Sequence, residues 1–474
     1  DMHLMFQNCG VVKLTSIDLG NKFDTSKVTD MQQMFSKFGY NELTSLDLKD
    51  KFNTSKVTTM REMFNGCGYK SMKNLNLGAN FNTSSVTDMS WMFANCGYTS
   101  LQSLNLKEKF NTSKVTDMSY MFYSCGYTAM TELNLGSNFN TSQVTNMECM
   151  FRSVGRCLMT NLDLKDKFDT SKVTNMYNMF TASFFGKMQV LDLKSKFDTS
   201  SVTDMSYMFF QTGFTSMEEL KLGDLFNTSQ VTNMSHMFYG CGYTKMTNLN
   251  LGANFDTNNV TIMTAMFYEC GYTAMTSFNL GDKFNTSNVD KMQQMFQRCG
   301  YKSMTNLNLG TNFNTSSVTD MYGMFAECGY MSMKTLELGR NFNTNNVYVM
   351  TKMFNNCGYS AMTKLDLGPA FKKIPNENTD FVTNCGKEGA VIYCPEEIYQ
   401  DIHHFKLNNT SITQIAYTRG TINPKYKLKK WIAKSKDLDI VNNKTVQVVL
   451  AGSEARLILS TLKTSNVHVY INGL

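Results

Sequence analysis

The sequence predicts an α/β solenoid in which every coil contributes one short parallel strand and one short helix. Three observations carry that expectation. A phenylalanine opening a Phe-Asn/Asp-Thr-Ser motif recurs at Phe23, Phe52, Phe81 and onward to Phe342, always at a step of 29 residues, with Asn replacing Ser in two copies. A Met-Phe pair, first at Met5, keeps the same step through thirteen copies to Met353. No insertion or deletion interrupts either series. A fixed period in this range marks stacked units, each too small to bury its own apolar face, and it outranks any local secondary-structure reading.

One copy gives the elements in order. Leu104 and Leu106 alternate with Asn105, the period-two pattern of a strand with one buried face. Asn111, Thr112 and Ser113 follow as a turn cluster, because their side chains can satisfy nearby backbone groups. Val115, Met118, Met121, Phe122 and Cys125 then fall at helical spacing on one arc of about 120°. Thr116 is placed to cap the start of that helix, with Asp117 in its first turn, and Gly126 stands where a left-handed C-terminal cap is wanted. The chain carries 37 Met and only 4 Pro. That bias fits one core position written many times over.

Leu101-x-x-Leu104-x-Leu106, and the pairs Leu162/Leu164, Leu249/Leu251 and Leu307/Leu309, resemble leucine-rich repeats. Joined to Phe-Asn-Thr-Ser-x-Val-Thr-Asp-Met-Ser-x-Met-Phe, the unit closely resembles the repeats of BspA-like surface proteins, also seen in mycoplasma surface lipoproteins. The resemblance spans Met2 to about Leu367. It implies a leucine-rich-repeat solenoid with parallel strands on the concave side and short helices on the convex side. It also implies an extracellular, cell-surface location. The Cys-Gly-Tyr-x-x-Met extension departs from the family's usual shorter period.

Packed helices need about 8–10 Å while paired strands need about 4.8 Å, so such a stack is expected to curve with its strands inside. The strand face carries Asn76, Asn105, Asn134, Asp163 and their equivalents, which make it polar and mildly acidic. The opposite face is expected to hold the binding site. Trp91, Tyr120, Tyr123, Tyr207, Phe210, His236, Tyr239 and Tyr268 lie there, and exposed aromatics are common interface anchors. Other repeats place Gln, Ala or Lys at those positions. Contact between neighbouring repeats is the competing explanation for the rings.

Other chemistries find little support. Hydrophobic residues at 42% and charged residues at 18% indicate a folded chain. The formal charge is only +6, and the one dense basic stretch runs from Lys425 to Lys436, so a nucleic-acid partner is not expected. No apolar run approaches the roughly 20 residues of a membrane helix. The chain opens at Asp1 inside a repeat, as expected of a mature or trimmed fragment, so its export route and anchor are not expected to be visible here. Nine of the 13 Cys share one column, from Cys9 to Cys357, where Phe38, Val154, Ser183 and Thr212 also occur; they read as free core residues. On helices, adjacent members would lie beyond the roughly 7 Å reach of a disulfide. Cys385 and Cys394 lie outside that column and are a candidate disulfide. His403 and His404 have no partners in a metal-site spacing, and no catalytic, phosphate-binding or dinucleotide motif occurs. No catalytic residue, cofactor or metal is therefore expected. Asn/Asp interchange in the Phe-Asn-Thr-Ser motif points to turn chemistry rather than glycosylation.

The expected organisation is a solenoid over 1–370, a C-terminal cap over 371–422, and a small β-rich module over 423–474 or the start of one. The expected role is cell-surface adhesion or host interaction. The partner would be a protein or glycan, with host extracellular-matrix or serum proteins as candidates. A structural stalk or self-assembling surface component is the alternative.

Overall fold

The computed structural model describes residues 1–20, 23–398, 401–402 and 412–417. The β-rich module expected over 423–474, the basic stretch Lys425 to Lys436, and His403 and His404 lie outside the described residues.

The strand element forms where the leucine spacing places it. β1 (Ser45–Asp47) pairs with β2 (Asn74–Asn76), and β3 (Ser103–Asn105) pairs with β4 (Glu132–Asn134). β5 (Val190–Asp192) pairs with β6 (Glu219–Lys221), and β7 (Ser277–Asn279) with β8 (Asn306–Asn308). All these pairs are parallel and offset by one 29-residue repeat. β9 (Thr335–Glu337), β10 (Lys364–Asp366), β11 (Ala390–Cys394) and β12 (Ile412–Tyr417) form one four-stranded parallel sheet. The central residue of each strand from β1 to β10 turns inward, a leucine in all but β7, where it is Phe278. In β3, Leu104 is buried and Asn105 faces out, with Leu106 buried just beyond.

The predicted helix does not form; between Phe23 and Pro395 the described residues contain none. The segment after Thr116 shows what replaces it. The amides of Met118, Tyr120, Phe122 and Ser124 donate to Asn146, Glu148, Met150 and Arg152 of the next coil at 2.8–3.1 Å. The alternating amides of Met121, Tyr123 and Cys125 close four-residue turns on the carbonyls of Met118, Tyr120 and Phe122. An α-helix would need every one of these donors within its own coil. Its diameter of about 10–12 Å also could not stack at the roughly 4.8 Å rise of parallel strands. The ribbon of turns solves both problems by placing Tyr120 (φ 57°) and Ser124 (φ 52°) in the left-handed region. The capping signals belong to the same ribbon. Asp117 Oδ1 accepts the Ser119 amide at 2.8 Å, and Gly126 (φ 52°) donates to the Cys96 carbonyl of the preceding coil at 3.1 Å.

With no helices there is no wide side to bend the stack around an inner sheet, so the concave–convex expectation loses its cause. The ribbon side is in fact the more regularly paired one. Parallel bridges run from Asp30 through Thr59 and each later equivalent to Glu377 without a gap. The strand track is interrupted, with Asn161–Asp163 and Asn248–Asn250 outside any strand.

The core is a set of columns. Val115, Met118, Met121, Phe122, Cys125 and Met130 are all fully buried, as are their equivalents in most other coils. Three methionine positions per coil account for the methionine bias. Phe122 stacks between Phe93 (5.8 Å) and Phe151 (5.6 Å), and Phe110 between Phe81 (6.2 Å) and Phe139 (6.4 Å). The Phe-Asn-Thr-Ser edge is held by hydrogen bonds. Thr112 is buried; its Oγ1 donates to the Asn140 carbonyl at 2.7 Å and accepts the Asn140 amide at 2.7 Å. Asn111 Oδ1 accepts the Ser113 amide at 2.9 Å, and Asp169 does the same for Ser171 at 2.9 Å. Either residue makes this turn, which explains their interchange.

Past residue 370 the stacking continues. Phe371 stacks on Phe342 at 6.0 Å, and Gly386 donates to the Cys357 carbonyl at 2.9 Å. That contact makes Cys385 the next member of the cysteine column. Cys385 and Cys394 are both buried free thiols in this structure, not a bridged pair. Within the column, the helix-based spacing argument falls with the helices, because Gly97 bonds the Cys67 carbonyl at 3.0 Å and so seats neighbouring cysteines one coil apart. Every cysteine is nevertheless free. Burial pushes the thiols of Cys299 and Cys357 up to about 12. Ser183 and Thr212 fit the same column by donating to the carbonyls of Phe151 and Phe180.

Candidate interaction surface

The polar strand face is less available than its composition suggests. Asn76, Asn105 and Asn134 each accept a backbone amide two residues on, from Gly78, Lys107 and Gly136, at 2.9–3.2 Å. Asp47 does the same for Lys49, and hydrogen bonds to its carboxylate, with the Lys49 charge, hold its pKa below the ordinary value despite some burial. These side chains fix the turn that ends each strand.

The eight aromatic positions predicted to bind a partner are all half-buried on the ribbon face. The structure gathers them into two clusters and not one patch. In the first, Trp91 lies on Tyr120 at 3.9 Å, and both rings lean on Tyr123 at 5.8 Å. Tyr120 donates its hydroxyl to Glu148 Oε1 at 2.7 Å, and the Arg152 guanidinium sits 5.6 Å from the Tyr123 ring. In the second, Tyr207 stacks on His236 (4.5 Å), and Tyr239 stacks between Phe210 (4.7 Å) and Tyr268 (4.4 Å). Tyr207 touches Phe210 at 5.6 Å, joining the two columns. Cys149, Arg152, Asn178 and Thr181 hold the same positions in the two coils that separate the clusters.

Burial raises the phenol pKa of Tyr207 and Tyr268 and lowers that of the His236 imidazole. The neutral forms are therefore favoured, and the clusters offer rings, hydroxyls and few charges. Ring contact between repeats and surface presentation coexist here. Neighbouring rings cover each other's faces, and their edges stay at the surface.

The helical reading missed a third aromatic track. Tyr40, Tyr69, Tyr98 and Tyr127 stack in succession at 4.6 Å. Arg156 takes the next rung, 5.4 Å from the Tyr127 ring and 4.3 Å from that of Phe185, and it donates to the Tyr127 hydroxyl. Phe185, Phe214 and Tyr243 continue the ladder, which ends at Tyr359, with steps of 4.2–5.0 Å. The signal was present in the sequence as the Tyr of Cys-Gly-Tyr, but it followed an assumed helix end. Beside the ladder, Arg298 bridges Glu269 (3.2 Å) and Glu327 (3.1 Å) across three coils.

Among the described residues no group of three or more His, Cys, Asp or Glu is arranged to hold a metal ion. None of the described helices is long and apolar enough to cross a membrane. No curated protein matches the chain. No solved structure matches it either. Overlapping matches to one family cover residues 1–124, 38–157, 68–183, 98–212, 156–276 and 271–362. They follow the repeat through most of the chain, which therefore belongs to the family described as "Mycoplasma protein of unknown function, DUF285".

Proposed function

We propose that this solenoid is a cell-surface adhesion or host-interaction protein that binds a macromolecular partner, a protein or a glycan, through the aromatic clusters of its ribbon face. One observation carries the reading. The clusters occupy two columns where the fold equally accepts Glu62, Cys149, Ala265 and Gln294, or Asn65, Ala94, Thr181 and Gln297. The coil does not require rings there, whereas it does repeat its core and its turn residues. Half-buried aromatics with polar tips are the usual anchors of interfaces. Placement outside the cell rests on the resemblance of the Leu-x-x-Leu-x-Leu and Phe-Asn-Thr-Ser unit to BspA-like surface repeats. The repetition of nearly all polar residues weighs against catalysis, which needs a few unlike groups converging on one point.

The test is capture of host extracellular-matrix and serum proteins by the purified chain, alongside a variant carrying Tyr123→Ser and Tyr239→Ser. A saturable partner lost from the variant supports the reading, provided its melting curve stays that of a folded solenoid. Equal capture by both proteins would move the site off this face. Absence of any saturable partner would favour a structural stalk.

A further inference from the structure

We propose that the aromatic ladder is the seam of a two-fold dimer, in which a second copy of this chain lays its own ladder antiparallel against the first. The ladder runs from Tyr40 to Tyr359 without a missing rung, and all its members are half-buried or exposed. Each ring is sandwiched by its neighbours, so the ladder presents a row of ring edges and hydroxyls, repeating at the coil step. A folded partner of ordinary shape has no such period. A parallel β stack does, since its rise is about 4.8 Å. A second copy matches the period at every rung.

The order of the rungs chooses the direction. Six rungs precede the midpoint between Phe185 and Phe214, and six follow it. Copies running in the same direction would set Arg156 against Arg156 of the partner subunit, two like charges near the middle of an aromatic seam. The antiparallel arrangement instead sets Phe185 against the partner's Phe214, and Arg156 against the partner's Tyr243. The one charged rung then meets a phenol, which can take it as a hydrogen-bond or cation–π partner. The charged track beside the ladder also finds no like charge. Glu269, Arg298 and Glu327 come to face the partner's Ser124, the partner's Asn95 and the partner's Gly66. Such a contact is self-complementary and closes at two copies. Rungs at the roughly 4.8 Å rise of a parallel stack make the seam about 50 Å long.

The test needs only the purified full chain and sedimentation velocity across the micromolar range, with no other partner present. The expected result is a monomer–dimer equilibrium. Phe214→Lys should weaken it roughly tenfold or more by placing a desolvated charge at the centre. That variant keeps a stacked rung, as Arg156 shows for a cation between two rings, and circular dichroism checks that it is folded. Tyr243→Lys should also dissociate the dimer, by facing the partner's Arg156. Mixing Tyr243→Lys with Arg156→Glu protein should restore association, because only the mixed pair sets the introduced lysine of one copy against the introduced glutamate of the other. A monomer at all concentrations, open-ended growth, or a dimer indifferent to Phe214→Lys would overturn the proposal. A mixture that fails to re-associate would overturn the antiparallel register.

Discussion

The Phe-Asn-Thr-Ser edge and the aromatic face run along the same coils, yet their residues are chosen differently. At the edge, Thr25, Thr54, Thr83 and each equivalent through Thr344 are buried and identical, because each hydroxyl must bond into the next coil. At the face, one column passes from Glu62 to Trp91, Tyr120, Cys149 and Asn178, all with the left-handed backbone of the turn ribbon. The ribbon demands a conformation there and leaves the side chain open. Residues repeated in every coil therefore report on folding, while departures from the repeat report on what a particular stretch of the solenoid is for.

The largest effect should come from a residue that both tracks depend on. Phe122→Ala removes a ring that is fully buried and stacked on both sides, and it opens a cavity beneath the first aromatic cluster. A loss of about 3–5 kcal/mol is expected from such a truncation. Denaturant unfolding measures it. A loss below about 1 kcal/mol would mean that the column repacks freely and is not the shared support.

A smaller and more selective effect is expected at the edge. Thr112→Val keeps the shape but leaves the Asn140 amide and carbonyl without their buried partner, at a cost of about 1–3 kcal/mol. Thr112→Ser should recover most of it by restoring the hydroxyl. If Val and Ser behave alike, the threonine column acts through packing and the hydrogen bonds are incidental. By contrast, the Tyr123→Ser and Tyr239→Ser changes at the face should alter partner capture far more than melting.

This contrast also explains how far the sequence could be read. The 29-residue step, the strand at Leu104 and Leu106, the Asx turn at Asn111 and the buried set Val115, Met118, Met121, Phe122 and Cys125 were all legible, because each follows from local pattern. The helix was misread because a ribbon of turns buries nearly the same positions. Met118, Met121, Phe122 and Cys125 point inward in either case. What separates the two is where alternate amides go, and only the neighbouring coil settles that. The same error hid the Tyr98 and Tyr127 ladder by placing it beyond a helix end. Arg156 as a rung in an aromatic stack has no signature in one repeat; it becomes visible once Tyr127 and Phe185 are set above and below it.

The finest test of the face uses pH. His236 stacks on Tyr207, and its Nδ1 is buried with no hydrogen-bond partner among the described residues. Burial holds its pKa below the ordinary histidine value, so the folded chain resists protonation there and the unfolded chain does not. The unfolded state then takes up the proton first as pH falls. His236 thus leaves stability intact above about pH 6.5 and subtracts from it as pH drops below that value and through the folded pKa. Melting temperatures compared at about pH 7 and about pH 5 should fall less for His236→Phe than for the natural chain, while carboxylates titrating lower affect both alike. An identical fall would show that the imidazole finds solvent or a partner when charged, and the second cluster would then be wetter than its stacking implies.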